Sequence, residues 1–187
     1  MPIQKITRSK ALDRITEVFR KWGYDGATLR LISDATGLGR ASLYHHFPGG
    51  KEEMAAAVFG HIGGRVQKHV IDPLAGDGPP RERLERHARG VSRIFDGGKS
   101  NCLWGAMVLG GGVELFADEI KSALNAWTSA VAAVLREAGV PAREATRRSE
   151  AAMVRVQGAL IVSRGLGSTA PFRRVIQDLP RALLDEA

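Results

Sequence analysis

The sequence predicts an all-α protein of about nine helices, and three features of the chain carry that prediction. Apolar residues recur at three- and four-residue steps through nearly every segment. Glycine and proline clusters interrupt those segments at intervals of helical length. No stretch alternates apolar and polar residues as a half-buried strand would. With 187 residues, 44% of them hydrophobic and 25% charged, the chain has material for a sizeable core in one large or two small domains.

Thr7 or Ser9 caps the first helix, whose apolar face is Ala11, Leu12, Ile15, Val18, Phe19 and Trp22 and whose expected stop is Gly23. Thr28 caps a second, short helix with Leu31, Ile32 and Ala35 inward and Gly37 at its end. After the Gly37-Leu38-Gly39 turn, a third short helix covers residues 40–46 and stops at Pro48-Gly49-Gly50. A fourth begins at Lys51, with Met54, Val58, Ile62, Val66 and Val70 repeating every four residues. Gly60, Gly63 and Gly64 weaken it by roughly 1 kcal/mol each relative to alanine.

Residues 72–80, rich in glycine and proline, read as a linker. Pro80 then opens a fifth helix packed through Leu84, Ala88, Val91, Ile94 and Phe95. Asn101 caps a sixth, residues 102–109, which is apolar on nearly all sides and hence central. Gly110-Gly111-Gly112 breaks the pattern before a long seventh helix at 118–138. The eighth spans 142–164 and the last 171–184, where Pro180 is expected to kink or shorten it.

The net charge of +7 favours a polyanionic partner, and its distribution says where that partner binds. Residues 1–52 hold nine Lys/Arg against five Asp/Glu, whereas the rest of the chain holds 18 against 15. Over half of the excess positive charge thus lies in less than a third of the length, which suits an N-terminal nucleic-acid module. Cys102 is the only cysteine, which excludes an intramolecular disulfide framework and points to a reducing compartment, with the thiol an inert core group. Residues 1–10 are polar, and no run nears the roughly 18 apolar residues of a membrane span. A cytoplasmic protein with no membrane partner is the expectation.

Nothing in the pattern points to catalysis. No nucleophile–base set, paired carboxylates or metal cluster stands out, so no catalytic residue, metal or cofactor is expected. His61, His69 and His87 lack metal-ligand spacing and are expected in surface or capping roles. Gly98-Lys99-Ser100 looks like the end of a phosphate loop, but Arg93 stands where the loop needs glycine and no strand precedes it.

The chemistry concentrates in residues 28–47. Two short helices joined by a glycine turn can lay the second helix in the DNA major groove while the first crosses the backbone. Thr28 at a helix N-terminus offers a hydroxyl and backbone N–H groups to a phosphate, where the helix dipole also favours an anion. Arg40 begins the third helix, and small Ala41 and Ser42 let it approach base edges. Tyr44, His45 and His46 can donate to flanking phosphates, and Lys51 opens the fourth helix beside the same backbone.

The stretch Gly26-Ala27-Thr28-Leu29-Arg30 to Ala35, followed by Gly37-Leu38-Gly39-Arg40-Ala41-Ser42-Leu43-Tyr44-His45-His46-Phe47, resembles the N-terminal domain of the tetracycline-repressor (TetR) family. Lys51-Glu52-Glu53-Met54 matches its usual continuation, and Gly49-Gly50 departs from it, because the family more often has a polar cap there. The resemblance implies DNA contacts at Thr28, Arg40, Ala41, Ser42, Tyr44, His45 and Lys51, with Arg30 and His46 beside them, and a small core at Leu31, Leu43 and Phe47. Asn101-Cys102-Leu103-Trp104-Gly105-Ala106 resembles the start of the sixth helix in the LmrA/YxaF-like branch.

That resemblance implies a DNA-binding domain at 1–54, with the helix-turn-helix at about 28–47, and an effector-binding and dimerisation domain at 55–187. By the same implication the last two long helices form a four-helix homodimer interface. Ala152, Gly158, Ala159 and Val162 would contribute from the eighth helix, and Phe172, Val175, Ile176 and Leu179 from the last. Small residues of the eighth helix also suit packing within one subunit, and that alternative stays open. Phe59, Phe95, Trp104, Met107, Phe116, Trp127 and Met153 either line an apolar pocket, with Gln157 or Asn125 as its polar anchor, or form ordinary core.

The expected function is a sequence-specific, double-stranded-DNA-binding transcriptional regulator. By resemblance it is a homodimeric repressor that leaves a near-palindromic operator on binding a small apolar or aromatic effector. The alternatives are an architectural DNA-binding protein without an effector and an enzyme targeted to DNA.

Overall fold

A computed structural model describes residues 6–184, and all regular structure among them is helical. The helices are α1 (Arg8–Gly26), α2 (Leu29–Thr36), α3 (Arg40–His46), α4 (Gly50–Val66), α5 (Asp72–Ala75), α6 (Pro80–Ile94), α7 (Leu103–Val108), α8 (Gly112–Glu137), α9 (Ala142–Gly165) and α10 (Ala170–Leu184). A π-helical turn, Gln67–Ile71, joins α4 to α5, and a 3-10 turn, Asp96–Gly98, follows α6. Of the polar start expected at residues 1–10, positions 1–5 lie outside the described residues.

The caps read from sequence form as expected at both ends of the N-terminal region. Thr7 Oγ1 accepts from the Lys10 N–H at 3.3 Å, and Thr28 Oγ1 accepts from the Leu31 N–H at 3.2 Å. Gly23 breaks α1 with φ 66° and ψ −173°, but the helix resumes for one short turn to Gly26 instead of stopping there. Much of the expected linker after residue 71 is helical, because Asp72–Ala75 closes one more turn with Pro73 in its first positions, where no amide donor is needed. Helix α8 starts at Gly112, six residues earlier than the periodicity predicts, and bends at Phe116, whose φ and ψ are −129° and 26°. Pro180 is accommodated inside α10, which continues to Leu184.

The described chain divides into two compact units. One contains residues up to Gly63 together with Leu103–Ile120. In it α1 and the short α7 pack together, and Trp104, Met107 and Phe116 are buried. The Phe116 ring lies between Tyr24 and Phe59, at centroid distances of 6.0 and 5.0 Å. Compaction therefore follows a different boundary from the division at residue 54 read from the family pattern, because α7 and the start of α8 supply this unit with aromatic core.

The second unit contains Gly64–Cys102 and Lys121–Ala187. Here α10 packs against α6 and α9, and the Phe95 and Phe172 rings meet edge to face at 6.0 Å. The guanidinium of Arg83 is buried, donates to the Leu74 carbonyl at 3.1 Å and pairs with Glu137. Arg148 donates to the Leu183 and Leu184 carbonyls at 3.1 and 3.0 Å, satisfying acceptors at the end of α10. Cys102 is buried, as expected of a core thiol.

His87 overturns the surface or capping role expected of it. It is 1% exposed on α6. Its Nδ1–H donates to the Val70 carbonyl at 2.8 Å, and its Nε2 accepts from Trp127 Nε1–H at 3.2 Å. Those partners fix the neutral tautomer, and burial pushes the imidazole from its usual 6.5 down to about 4, the Val70 hydrogen bond opposing in part.

Between about 4 and 6.5 the unfolded chain therefore binds a proton that the folded chain refuses. This contribution to stability is complete above 6.5 and is lost as the pH falls, at up to about 1.4 kcal/mol per pH unit. Urea-unfolding midpoints measured across that window should fall for the native chain. They should fall less steeply for His87→Leu, which is also weaker at neutral pH because the Trp127 N–H loses its acceptor. A variant with a slope as steep as the native one would exclude His87 as the titrating group.

Candidate DNA-binding surface

Helix α3 has seven residues, too few to persist alone, so its geometry must come from its neighbours. Two side chains root it: Leu43 is 0% exposed and Phe47, just past its end, is 1% exposed. The remaining residues, Arg40, Ala41, Ser42, Tyr44, His45 and His46, are all exposed. With 100° between successive residues, Ala41, Ser42 and His45 point away from the Leu43–Phe47 side, and Tyr44 and His46 flank them. Arg40 stands at the N-terminal end, where no side chain caps the helix.

Hydroxyl groups set the angle between α2 and α3. Gly37 ends α2 at φ 72°, a left-handed conformation natural to glycine, and returns its N–H to Ser33 O at 2.8 Å. Ser33 Oγ donates to the Leu38 carbonyl at 2.7 Å, and Thr36 Oγ1 accepts from the Leu38 N–H at 3.2 Å. Thr36 Oγ1 also donates to the Ile32 carbonyl at 2.7 Å from a buried position. From α1, Arg14 donates to the Thr36 carbonyl at 3.1 Å, a cation placed at the negative end of α2. Sequence reasoning missed Arg14, Ser33 and Thr36, although two hydroxyls flanking a glycine turn are a readable signal of a stitched corner.

The other expected contact residues divide into free and engaged groups. Thr28 is exposed while its hydroxyl caps α2 by accepting the Leu31 N–H. The Arg30 side chain is 91% exposed and only 3.9 Å from Asp34, a pairing of little energetic weight. Lys51 is engaged instead of free: its Nζ donates to the Tyr24 carbonyl at 3.0 Å and lies 4.3 Å from the centre of the Tyr24 ring. Burial, with Glu52 and Asp25 nearby, raises the Tyr24 hydroxyl above its ordinary 10, so that ring stays neutral beneath the cation. Gly49 donates to Glu53 Oε2 at 2.7 Å, so the missing polar cap is replaced by a carboxylate reaching back from the first turn of α4.

The expected effector residues are divided between the two units. Phe59, Trp104, Met107 and Phe116 are buried in the first unit, and Phe95, Trp127 and Met153 are buried in the second. Phe95 is packed on Phe172 and Trp127 on His87, so both rings already have partners. Gln157, also in the second unit, places its Nε2 in the interior with no hydrogen-bond partner, whereas Asn125 is exposed.

Half of the expected dimer residues are spent within their own chain. Phe172, Leu179, Ala159 and Ile176 are 0%, 2%, 7% and 8% exposed, buried where α10 meets α6 and α9. They form core within the chain, which leaves the other four of the expected residues to meet a partner. Ala152 and Val175 are half-buried, and Gly158 and Val162 are exposed. Besides Val162, the larger apolar groups left open on α9 and just past its end include Val154, Ile161 and Leu166, at 70%, 71% and 68% exposure, which were not singled out from the sequence. Val154, Gly158, Ile161 and Gly165 follow one another at steps of four, three and four on the side opposite the buried Met153, Val156 and Leu160. A second apolar stripe half a turn from the first was the available signal.

Among the described residues, no group of three or more His, Cys, Asp or Glu is placed to hold a metal ion, and no helix is long and apolar enough to cross a membrane. Comparison with known proteins finds bacterial transcriptional regulators. Residues 11–58 match the family of bacterial regulatory proteins of the tetR family, and residues 65–178 match the C-terminal domain of LmrA/YxaF-like transcriptional regulators. The HTH-type transcriptional regulator LmrA of Bacillus subtilis is 23% identical over 181 residues, covering 95% of this chain and 96% of LmrA. The HTH-type transcriptional repressor AcnR of Corynebacterium glutamicum is 38% identical over 66 residues, 35% of each chain. A TetR transcriptional regulator from Legionella pneumophila shares the fold with a TM-score of 0.81 at 18% identity, over 97% of this chain and 98% of that one. The regulator CifR in complex with 26-bp operator DNA matches with a TM-score of 0.75 at 21% identity, over 96% and 98% of the two chains. The chain belongs to the TetR family of bacterial transcriptional regulators, in its LmrA/YxaF-like branch.

Proposed function

We propose that this regulator is a homodimeric repressor that reads a near-palindromic operator with α3 and leaves it when a small apolar or aromatic molecule binds the second unit. The observation that carries the DNA-reading part is the single-sided rooting of α3, with six of its seven side chains exposed and only Leu43 buried. Arg40, Ala41 and Ser42 meet base edges, with Arg40 suited to guanine. Thr28, Arg30, Tyr44, His45, His46 and Lys51 meet phosphates and fix the register. A regulator of this kind acts in the cytoplasm, where the DNA is, and without catalysis of its own.

Two features support the remaining parts. The open stripe of Val154, Gly158, Ile161 and Gly165 on α9 suits a second copy of the same helix, because the glycines permit close approach and the apolar groups gain from burial. Apart from the adjacent residues and the backbone of α9 itself, no atom lies within 4 Å of where a Cβ would stand at Gly158 or Gly165. Gln157 supports the effector, since an unpartnered buried amide costs about 1–3 kcal/mol and an acceptor on an apolar ligand would relieve it.

Duplexes enriched by the full chain from a random-sequence library test the first part. Enrichment of a near-palindrome, bound about 10³-fold or more tightly than unselected duplex at physiological salt, is expected. An architectural binder would show almost no preference. Arg40→Ala should narrow that ratio by about tenfold or more as well as weaken binding, and equal losses on both duplexes would remove Arg40 from base reading. Ile161→Asp should convert the dimer to monomer in sedimentation and abolish tight operator binding. A dimer unaltered by that substitution would place the interface elsewhere.

A further inference from the structure

We propose that Asp25 is a positioning residue for DNA binding, holding the backbone seat on which Lys51 rests by accepting the Gly111 N–H. The proposal rests on the reading of Lys51 as a phosphate contact.

The seat is unusual in its support. Gly23 interrupts α1, so Tyr24, Asp25 and Gly26 form a short turn beyond the break, without a full helix behind them. Lys51 depends on this turn twice, through its hydrogen bond to the Tyr24 carbonyl and through the ring beneath its ammonium group. One donor proton on that carbonyl leaves two for a phosphate. A lysine already fixed gives up less rotamer freedom when it binds than one waving in water.

What steadies the turn comes from far along the chain. Asp25 Oδ2 accepts from the Gly111 N–H at 2.7 Å, just ahead of the first residue of α8. The approach is so close that a Cβ on Gly110 or Gly111 would stand 2.5 or 2.9 Å from the Asp25 carboxylate oxygens. A Cβ on Gly112 would stand 3.0 Å from the Tyr24 Cβ. The glycine triplet is thus a docking surface for the end of α1 as well as an interruption between α7 and α8. On the other side of the seat, Gly50 precedes Lys51 with its Cβ position 3.7 Å from the Tyr44 ring of α3. Asp25 therefore acts through Tyr24 on a lysine adjacent to the reading helix.

The sign of the expected effect separates this role from simple charge. Asp25 is an anion on a DNA-binding unit, so its removal by electrostatics alone would tighten binding at every salt concentration. The positioning role demands the reverse for Asp25→Ala and no loss for Asp25→Asn, whose carbonyl oxygen still accepts the Gly111 N–H. The probe is the duplex that the native full chain enriches from a random library, with affinity read by fluorescence anisotropy over a salt series and folding checked by circular dichroism melts.

Asp25→Ala should weaken binding about five- to tenfold and shallow the salt slope by about one, as Lys51→Ala does. On the Lys51→Ala background the further loss should be less than about twofold, the non-additivity of groups acting through one contact. Gly111→Ala, which displaces the carboxylate while keeping Asp25, should reproduce the loss and serves if Asp25→Ala does not fold. Binding by Asp25→Ala as tight as or tighter than native, or losses that add to those of Lys51→Ala, overturns the proposal. A Lys51→Ala protein with native affinity overturns both it and the phosphate-contact reading.

Discussion

Helix α3 is too short to hold itself together and must keep nearly all of its side chains free for a partner. Only Leu43, with Phe47 just beyond its end, ties it to the rest of the molecule by burial. The remaining constraint is directional, and it comes from hydrogen bonds instead of contact area. Ser33 and Thr36 grip the backbone of the turn, and Arg14 anchors the end of α2. Polar groups suit this task because their bonds have angles, whereas apolar burial resists separation but tolerates rotation. A rigid corner is what lets an exposed helix present a fixed row of side chains.

The same division of labour explains what could be read from the sequence. The all-α class, the caps at Thr7 and Thr28 and the left-handed Gly37 follow from local rules, so spacing and residue type sufficed. Leu43 and Phe47 as core were implied by the family resemblance, and the contact residues of α3 by residue type together with that resemblance. The engagement of Lys51 by Tyr24, separated by 27 positions, and of Gly111 by Asp25, separated by 86, left no trace in any local pattern. His87 failed for a related reason. Its burial is stable only because a carbonyl from residue 70 and an indole from residue 127 satisfy both ring nitrogens, and neither partner is visible from position 87 alone.

Helices α9 and α10 show where a periodic pattern is ambiguous in principle. Phe172, Ile176 and Leu179 mark an apolar face, but a face can be covered by the same chain or by another. In α10 the cover is internal, and Ser163 completes it by accepting the Phe172 N–H at 3.1 Å. In α9 the inward positions are equally apolar, yet the opposite side also carries valine, isoleucine and glycine in register. Composition gave no reason to prefer one over the other. Only the path of the chain tells which stripe is spent.

The inclusion of Leu103–Ile120 in the same compact unit as α1 to α3 has an evolutionary consequence. A reading head made from one continuous stretch could be exchanged between regulators by a single recombination event. Here the head borrows Trp104, Met107 and Phe116 from the middle of the chain, and a cut after residue 54 or 63 would leave that aromatic core behind. Substitution on the open side of α3, where Arg40, Ala41 and Ser42 carry no packing duty, leaves that core intact, whereas exchange of the head as a cassette does not.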